Sequence, residues 1–318
     1  MHALTLEDTV ALRDVEPPTP GPGQALIALR SAGICGTDLE LVAGYKGYRG
    51  ILGHEFVGEV VRCPDAPFWE GRRVTGEINL TCGECEPCRA DLAKHCTTRT
   101  VMGILGHPGC FAEQLVLPFA NLHEVPARVS DDEAVFTEPL AAAFELFESV
   151  ELDDETEVAV FGDGRLGLLI GLALRSRDVP VVAVGRHPRK LAIVAAAGAR
   201  TVQPAELGDQ RFEVVVDATG SAEGLAMAFD HVQPRGTIAL KSTVHGTVNL
   251  DTSALVVNEI RLVGSRCGSF DVALEALAQG RIDPRPLIDA RYPLDQAAAA
   301  MEHAQRKGVL KVLLQRSP

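Results

Sequence analysis

Four cysteines in the pattern C-x2-C-x2-C-x7-C, namely Cys82, Cys85, Cys88 and Cys96, constrain this chain more than any other feature. Thiolates at such short spacings can wrap one zinc ion tetrahedrally and leave no open position, which is the pattern of a structural site. The segment they occupy is then a metal-pinned loop rather than a strand or a long helix. Eight cysteines could instead pair as disulfides, but half of them crowd into this one segment. The N-terminus, MHALTLEDTVALRDVEPP, also lacks the basic start and apolar stretch of a secretory signal. Metal ligation is the better reading of the thiols. His95 adjoins Cys96 and is an alternative ligand, but a complete thiolate set already satisfies the metal.

At 318 residues the chain exceeds what one hydrophobic core usually supports, so two domains are expected. Hydrophobic residues make up 46% and charged residues 23%, enough apolar material for packed cores. A formal net charge of -13, with no Lys/Arg run to offset it, repels phosphate backbones and anionic lipid and argues against nucleic-acid and membrane partners. The longest apolar run, Leu166 to Leu174, is too short to span a bilayer and is interrupted by glycine. A cytoplasmic protein is expected.

The first third reads as short strands and turns: a Pro-rich loop from Pro17 to Gly23, an apolar strand from Ala25 to Leu29, then Gly-punctuated segments through Gly58. At Ser130 the texture changes, because Ser130 and Glu133 form an S-x-x-E capping box that opens an Ala-rich helical stretch. Strand-like runs follow at Val158–Phe161, Val181–Val184, Val214–Asp217, Thr237–Leu240 and Leu262–Val263, with helix-period segments between several of them. That alternation predicts a parallel, doubly wound sheet. The tail carries a further helix, Leu294 to Gln305, and a closing strand, Val309 to Leu314, whose place the pattern leaves open.

Gly162, Gly164 and Gly167 in FGDGRLG lie between the first of those strands and a helix. In that context G-x-G-x-x-G is a dinucleotide turn, with Arg165 and Leu166 opening the helix whose free N–H groups would hold the pyrophosphate. NAD-binding versions end the next strand with an acidic residue that holds the ribose hydroxyls. Gly185 stands there instead, followed by Arg186, Arg189 and Lys190. Room and positive charge at that point suit a 2′-phosphate, so NADP(H) is expected over NAD(H), with Arg186 as leading contact. Cations on a helix surface are the alternative reading.

Cys35 lies in GICGTD, His54 and Glu55 in GHEFVG, and Glu138 in TEPLA. Together with the quartet and the glycine turn, these motifs resemble the zinc-containing medium-chain dehydrogenase/reductase family, which includes alcohol, polyol, glucose and threonine dehydrogenases. The resemblance runs through the whole chain and implies an α/β protein. Its GroES-like, β-rich catalytic domain would comprise 1–135 and 270–318, and its Rossmann dinucleotide-binding domain 136–269. It also implies a second, catalytic zinc on Cys35, His54 and Glu138, with Glu55 as an exchangeable ligand. Asp38 resembles the residue that orients the zinc-bound imidazole, and Thr37 the hydroxyl that relays the substrate proton. Turn chemistry is the plainer reading of the Thr-Asp pair. Pro139 supports Glu138 independently, since it disfavours helical geometry at the residue before it.

Those parts imply hydride transfer between a nicotinamide and an alcohol, polyol or sugar, or the matching carbonyl. An open zinc position lowers the pKa of bound water from about 16 to about 7. A comparable effect on an alcohol is worth roughly 12 kcal/mol. A threonine dehydrogenase is the close alternative, a non-catalytic NADPH-binding protein of the same fold the more distant one. Zinc-free quinone or enoyl reductases are disfavoured by the two metal constellations. The resemblance further implies a homodimer or homotetramer paired through the edge of the nucleotide-domain sheet. Outside the motifs, Cys63, Cys110 and Cys267 read as ordinary buried thiols, Lys241 as a solvated lysine and His107 as a loop residue, exposed or lining a pocket.

Overall fold

The computed structural model describes residues 1–153, 155–243 and 248–316. It divides into two compact units, Met1–Glu138 with Asp283–Pro318, and Pro139–Ile282. The second division falls later than the sequence reading puts it, so the helix Phe270–Ala278 belongs to the second unit. The reason is packing: that helix buries Phe270, Ala273, Leu274 and Leu277 along one face.

The first unit is built on a sheet in the order Leu122–Glu124, Arg73–Gly76, Glu55–Arg62, Gln24–Gly33, Lys311–Gln315, Ile288–Pro293, with Gln114–Pro118 also pairing Gln24–Gly33. The expected strand at Ala25 is thus the start of a longer one, running to Gly33 and delivering the chain to Cys35. It alternates inward residues such as Ile27 and Leu29, both fully buried with Phe56 and Phe111 in the core of this unit. The tail takes the place that the sequence pattern leaves open: Lys311–Gln315 lies antiparallel to Gln24–Gly33, with Leu313 opposite Gly33. Just past that pair, Ile34 donates its N–H to the carbonyl of Val312 at 3.0 Å, which fixes the start of the Cys35 loop.

The Ser130 box forms as expected, with Glu133 N–H donating to Ser130 Oγ at 3.3 Å and Ser130 N–H to the Glu133 carboxylate at 2.8 Å. The helix it opens is one turn, Asp131–Ala134, and a second helix, Thr137–Phe144, follows. Asp131 anchors the short turn by accepting from Arg30 Nε at 2.8 Å and Arg73 Nη1 at 3.0 Å. Two strands of the sheet thereby hold the approach to Glu138.

Among the described residues the second unit has six strands in the order Arg200–Val202, Val181–Val184, Val158–Phe161, Phe212–Asp217, Val232–Leu240, Arg261–Gly264, and every neighbouring pair is parallel. This is the doubly wound order whose reversal between the first and fourth strands makes a crevice at their carboxyl ends. Val158–Phe161 and Val181–Val184 are buried at every position, as covered parallel strands require. Gly162 leaves the first strand at φ 112°, and the helix Arg165–Arg175 begins after Gly164.

A Cβ on Gly167 would lie 2.0 Å from the Gly162 carbonyl oxygen, whereas one on Gly164 would meet nothing within 4 Å. Gly167→Ala is therefore expected to lower unfolding free energy by about 1–3 kcal/mol or more. Gly164→Ala should lose no more than about 1 kcal/mol, the preference for Gly over Ala at an N-cap. Thermal or urea unfolding of the two variants compares them, and equal losses would contradict this packing.

Candidate metal centres and nucleotide turn

The Sγ atoms of Cys82, Cys85, Cys88 and Cys96 lie within 4.8 Å of one another. Cys85 and Cys88 are 3.4 Å apart and Cys82 and Cys96 3.5 Å, near the edge of about 3.8 Å that four thiolates at 2.3 Å from one zinc would define. Local backbone makes the nest. Cys85 precedes the short helix Glu86–Arg89, and Cys96 follows the turn Ala93–His95. N–H groups of Glu84 and Cys85 lower the Cys82 thiol, those of Thr97 and Cys88 lower Cys85, and that of Cys82 lowers Cys96. Cys88 is pushed up to about 12 by desolvation and by its neighbour Cys85. Stabilised thiolates suit a cation. His95 is exposed and outside the group.

The second cluster joins Cys35, His54 and Glu55, whose candidate ligand atoms also lie within 4.8 Å of one another. Asp38 ties it together from the first turn of the helix Gly36–Val42. Fully buried, it accepts the Cys35 N–H on Oδ2 at 2.8 Å and brings Oδ1 to 3.3 Å from His54 Nδ1. Burial alone would lower the His54 pKa, yet Asp38 and Cys35 outweigh it and hold the imidazole well above its usual value. Thr37 Oγ1 is 4.0 Å from Cys35 Sγ.

Glu138, at the second position of the helix Thr137–Phe144, is half-buried and lies outside that 4.8 Å group. Desolvation raises its carboxyl to about 7, with His54 pulling the other way and Glu55 adding to the rise. Glu138, His54 and Glu55 thus share one neighbourhood, and Glu55 contributes an oxygen with nothing to bind: Oε1 is buried without a hydrogen-bond partner. An unsatisfied buried carboxylate oxygen beside a thiol and an imidazole fits a cation.

Sequence reasoning missed the group that holds the other oxygen. Lys311 Nζ donates to Glu55 Oε2, with both side chains essentially inaccessible to water. The ammonium also lies 5.5 Å from the Phe136 ring centroid. Gly33 makes room, since a Cβ there would come within 2.3 Å of Glu55 Oε2. A lysine in a closing strand gives no local signal of such a partner.

Other expectations change in place. Lys241 is buried, not solvated, and donates to the carbonyls of Ala142 and Arg266 and to Ser265 Oγ, all in the second unit. Cys63 and Cys110 are buried, and Cys110 Sγ reaches the Glu55 carbonyl at 3.6 Å; Cys267 is only half-buried. His107 is half-buried and lines a cavity with Tyr48 and Ile104.

At the glycine turn, Arg165 and Leu166 open the helix and are half-buried, Arg186 and Arg189 are exposed, and Lys190 is half-buried. Open space over Gly164 at a helix N-terminus fits the close approach of a pyrophosphate.

Residues 21–127 match the alcohol dehydrogenase GroES-like domain family, and 132–315 the glucose dehydrogenase C-terminus family. An L-threonine 3-dehydrogenase from Deinococcus deserti is 30% identical over 322 residues, covering 93% of each chain. Among solved structures, an alcohol dehydrogenase from E. coli CFT073 complexed with NADH is 26% identical, with TM-score 0.92 and 99% of each chain covered. A protein described as a zinc-binding dehydrogenase, from Sinorhizobium meliloti 1021 and bound to NADP, is 28% identical, with TM-score 0.90 over 99% of this chain and 98% of the other. A GroES-like unit joined to a doubly wound nucleotide sheet is the architecture of an alcohol-dehydrogenase-like oxidoreductase. The chain belongs to the medium-chain dehydrogenase/reductase family.

Removing one partner of a buried ion pair strands the other's charge. Lys311→Met is expected to destabilise the first unit by about 3–5 kcal/mol, and Glu55→Gln with Lys311→Met together by clearly less. Denaturant unfolding of the single and double variants measures the difference. Additive losses would mean that the two charges do not depend on each other.

Proposed function

We propose that the protein is a zinc-dependent dehydrogenase that moves a hydride between a nicotinamide cofactor and an alcohol, polyol or sugar, or the matching carbonyl. The observation that carries this reading is the gathering of Cys35, His54 and Glu55 around an unpartnered buried oxygen, in the same unit as Glu138. Cys35, His54 and Glu138 would hold one zinc, with Glu55 exchanging onto it. Cys82, Cys85, Cys88 and Cys96 would hold a second, structural zinc. The first zinc would supply a Lewis acid for the substrate oxygen, and the nicotinamide the hydride chemistry.

The chain's own residues do the rest. Asp38, with Oδ1 3.3 Å from His54 Nδ1, would orient the imidazole so that Nε2 serves as the ligand once a metal displaces its proton. Its bond to the Cys35 N–H holds both donors in one frame. Thr37, whose Oγ1 is 4.0 Å from Cys35 Sγ, would pass the substrate hydroxyl proton outward. Lys311 neutralises Glu55 and restrains it from crowding the cation permanently. In the second unit the Gly162–Gly167 turn and the N–H groups of Arg165 and Leu166 would bind the pyrophosphate.

At the adenosine end, Arg186, Arg189 and Lys190 supply the positive charge on which a preference for NADP(H) would rest. The N–H groups of Arg186 and His187 are bonded to Asp163, which weighs against that preference. L-Threonine remains the second substrate reading, favoured by the name of the Deinococcus relative. A homodimer or homotetramer is supported by the edge strand Arg261–Gly264 and by the neighbouring helix, where Val256 is 77% and Val257 79% exposed. No helix among the described residues is long and apolar enough to cross a membrane, and a cytoplasmic location fits this reading.

Metal analysis of parent and Cys35→Ser protein, with turnover of alcohols and polyols, tests the proposal. Two zincs per chain are expected in the parent and one in the variant, with loss of turnover and little loss of stability; Cys82→Ser should instead destabilise the first unit. One zinc in both proteins, or unchanged turnover in Cys35→Ser, refutes the catalytic centre. Because Glu138 keeps its proton up to about pH 7 without a metal, zinc must displace it. Affinity at this centre should therefore fall as pH drops from 7.5 to 5.5, measured by competition with a chelator. Glu138→Gln should lessen that dependence by about one proton, leaving the part due to His54.

A further inference from the structure

Asp163, between Gly162 and Gly164, turns its side chain away from solvent, with 13% of it exposed. Its Oδ2 accepts the backbone N–H groups of Arg186 and His187, each at 2.7 Å, and lies 2.9 Å from His187 Nδ1. The carboxylate fills a defined space. A Cβ on Gly185 would come within 2.6 Å of Asp163 Cβ and 2.7 Å of its Oδ2. Gly185 follows the strand Val181–Val184, at the position where NAD-binding sheets carry the acid that holds the ribose hydroxyls. The missing carboxylate is therefore present, brought from the adjacent turn instead of from the strand.

Two opposing charges act at this point. Arg186 and Arg189 are exposed, so water and salt screen their pull on an incoming phosphate. Asp163 is sheltered, and the N–H groups of Arg186 and His187, which could otherwise donate to a 2′-phosphate, are bonded to it. Burial works to raise its pKa, but the His187 N–H and ring with the Arg186 N–H outweigh that and keep it below the usual carboxylate range. It is an anion at neutral pH, and a 2′-phosphate would have to displace it from its donors.

We propose that Asp163 selects the cofactor, accepting the free 2′-hydroxyl of NAD(H) and excluding the 2′-phosphate of NADP(H). The inference rests on the nicotinamide-dinucleotide reading of the glycine turn. With Oδ2 committed to the three N–H groups, the ribose hydroxyls would meet the other oxygen, Oδ1. Asp163 would thus do from the first loop what the strand-end acid does elsewhere, while the nearby cations speed the approach of either dinucleotide without distinguishing them.

Titration calorimetry of the full chain with NADH and NADPH, at fixed ionic strength, tests this on parent and Asp163→Asn proteins. The parent is expected to bind NADH at least about tenfold more tightly than NADPH, and the Asn variant to lose most of that ratio through tighter NADPH binding. A parent that prefers NADPH, or a variant whose two dissociation constants move by the same factor, overturns the proposal. Should Asp163→Asn not fold, competition against NADH in the parent decides: 5′-AMP must displace it better than 2′-phospho-5′-AMP, and the reverse order overturns the assignment. A parent that binds neither dinucleotide refutes the reading of the turn itself, and the assignment with it.

Discussion

Lys311 and Glu55 stand 256 residues apart in sequence and are buried against each other. Burying two charges costs several kcal/mol for each ion, so the pair persists only where geometry and neighbours repay it. Here the C-terminal strand lies antiparallel to Gln24–Gly33, Gly33 is bare of a side chain, and the Phe136 ring lies beside the ammonium. That same strand takes the Ile34 N–H on the Val312 carbonyl and so sets where the Cys35 loop begins. The positions of Cys35 and Glu55 therefore depend on a strand far downstream in the sequence.

The two metal clusters are assembled by different physics. The quartet is local: all four thiols fall between 82 and 96, and most of the N–H groups that stabilise them belong to the same segment. It needs little from the rest of the fold beyond two ends to pin. The Cys35 cluster instead draws on a helix start, a strand start and the closing strand, and its core is one carboxylate with two tasks. Asp38 holds the Cys35 backbone through one oxygen and faces His54 with the other. A residue that turn chemistry would explain as a cap is also the link between two candidate ligands, because a capping carboxylate retains a second oxygen to share.

Much of the second unit was legible because parallel strands covered on both faces read as unbroken apolar runs. Val158–Phe161 and Val181–Val184 lie where those runs are. Lys241 was not legible. A lysine after an apolar strand reads locally as solvated, whereas the carbonyls of Ala142 and Arg266 with Ser265 Oγ compensate its burial. The place of Asp163 was not legible either. From Gly185 alone, the absent acid and the following arginines suggest a phosphate site, and only the fold shows that a carboxylate also reaches that volume, from 22 residues upstream.

The sequence by itself determined which chemical groups are available and what each short segment does: a thiolate loop at 82–96, a glycine turn opening a helix at Arg165, a capping box at Ser130. Spacing and periodicity carry these because the interactions span a few residues. Tertiary structure alone decided which groups meet across the chain without a motif to announce it: Lys311 with Glu55, and Asp163 with the N–H groups beyond Gly185. Those meetings depend on sheet order and on volumes left empty by Gly33 and Gly185. Charge and hydrogen bonding act over only a few ångströms at full strength, and no local pattern records which distant residue will come within that range.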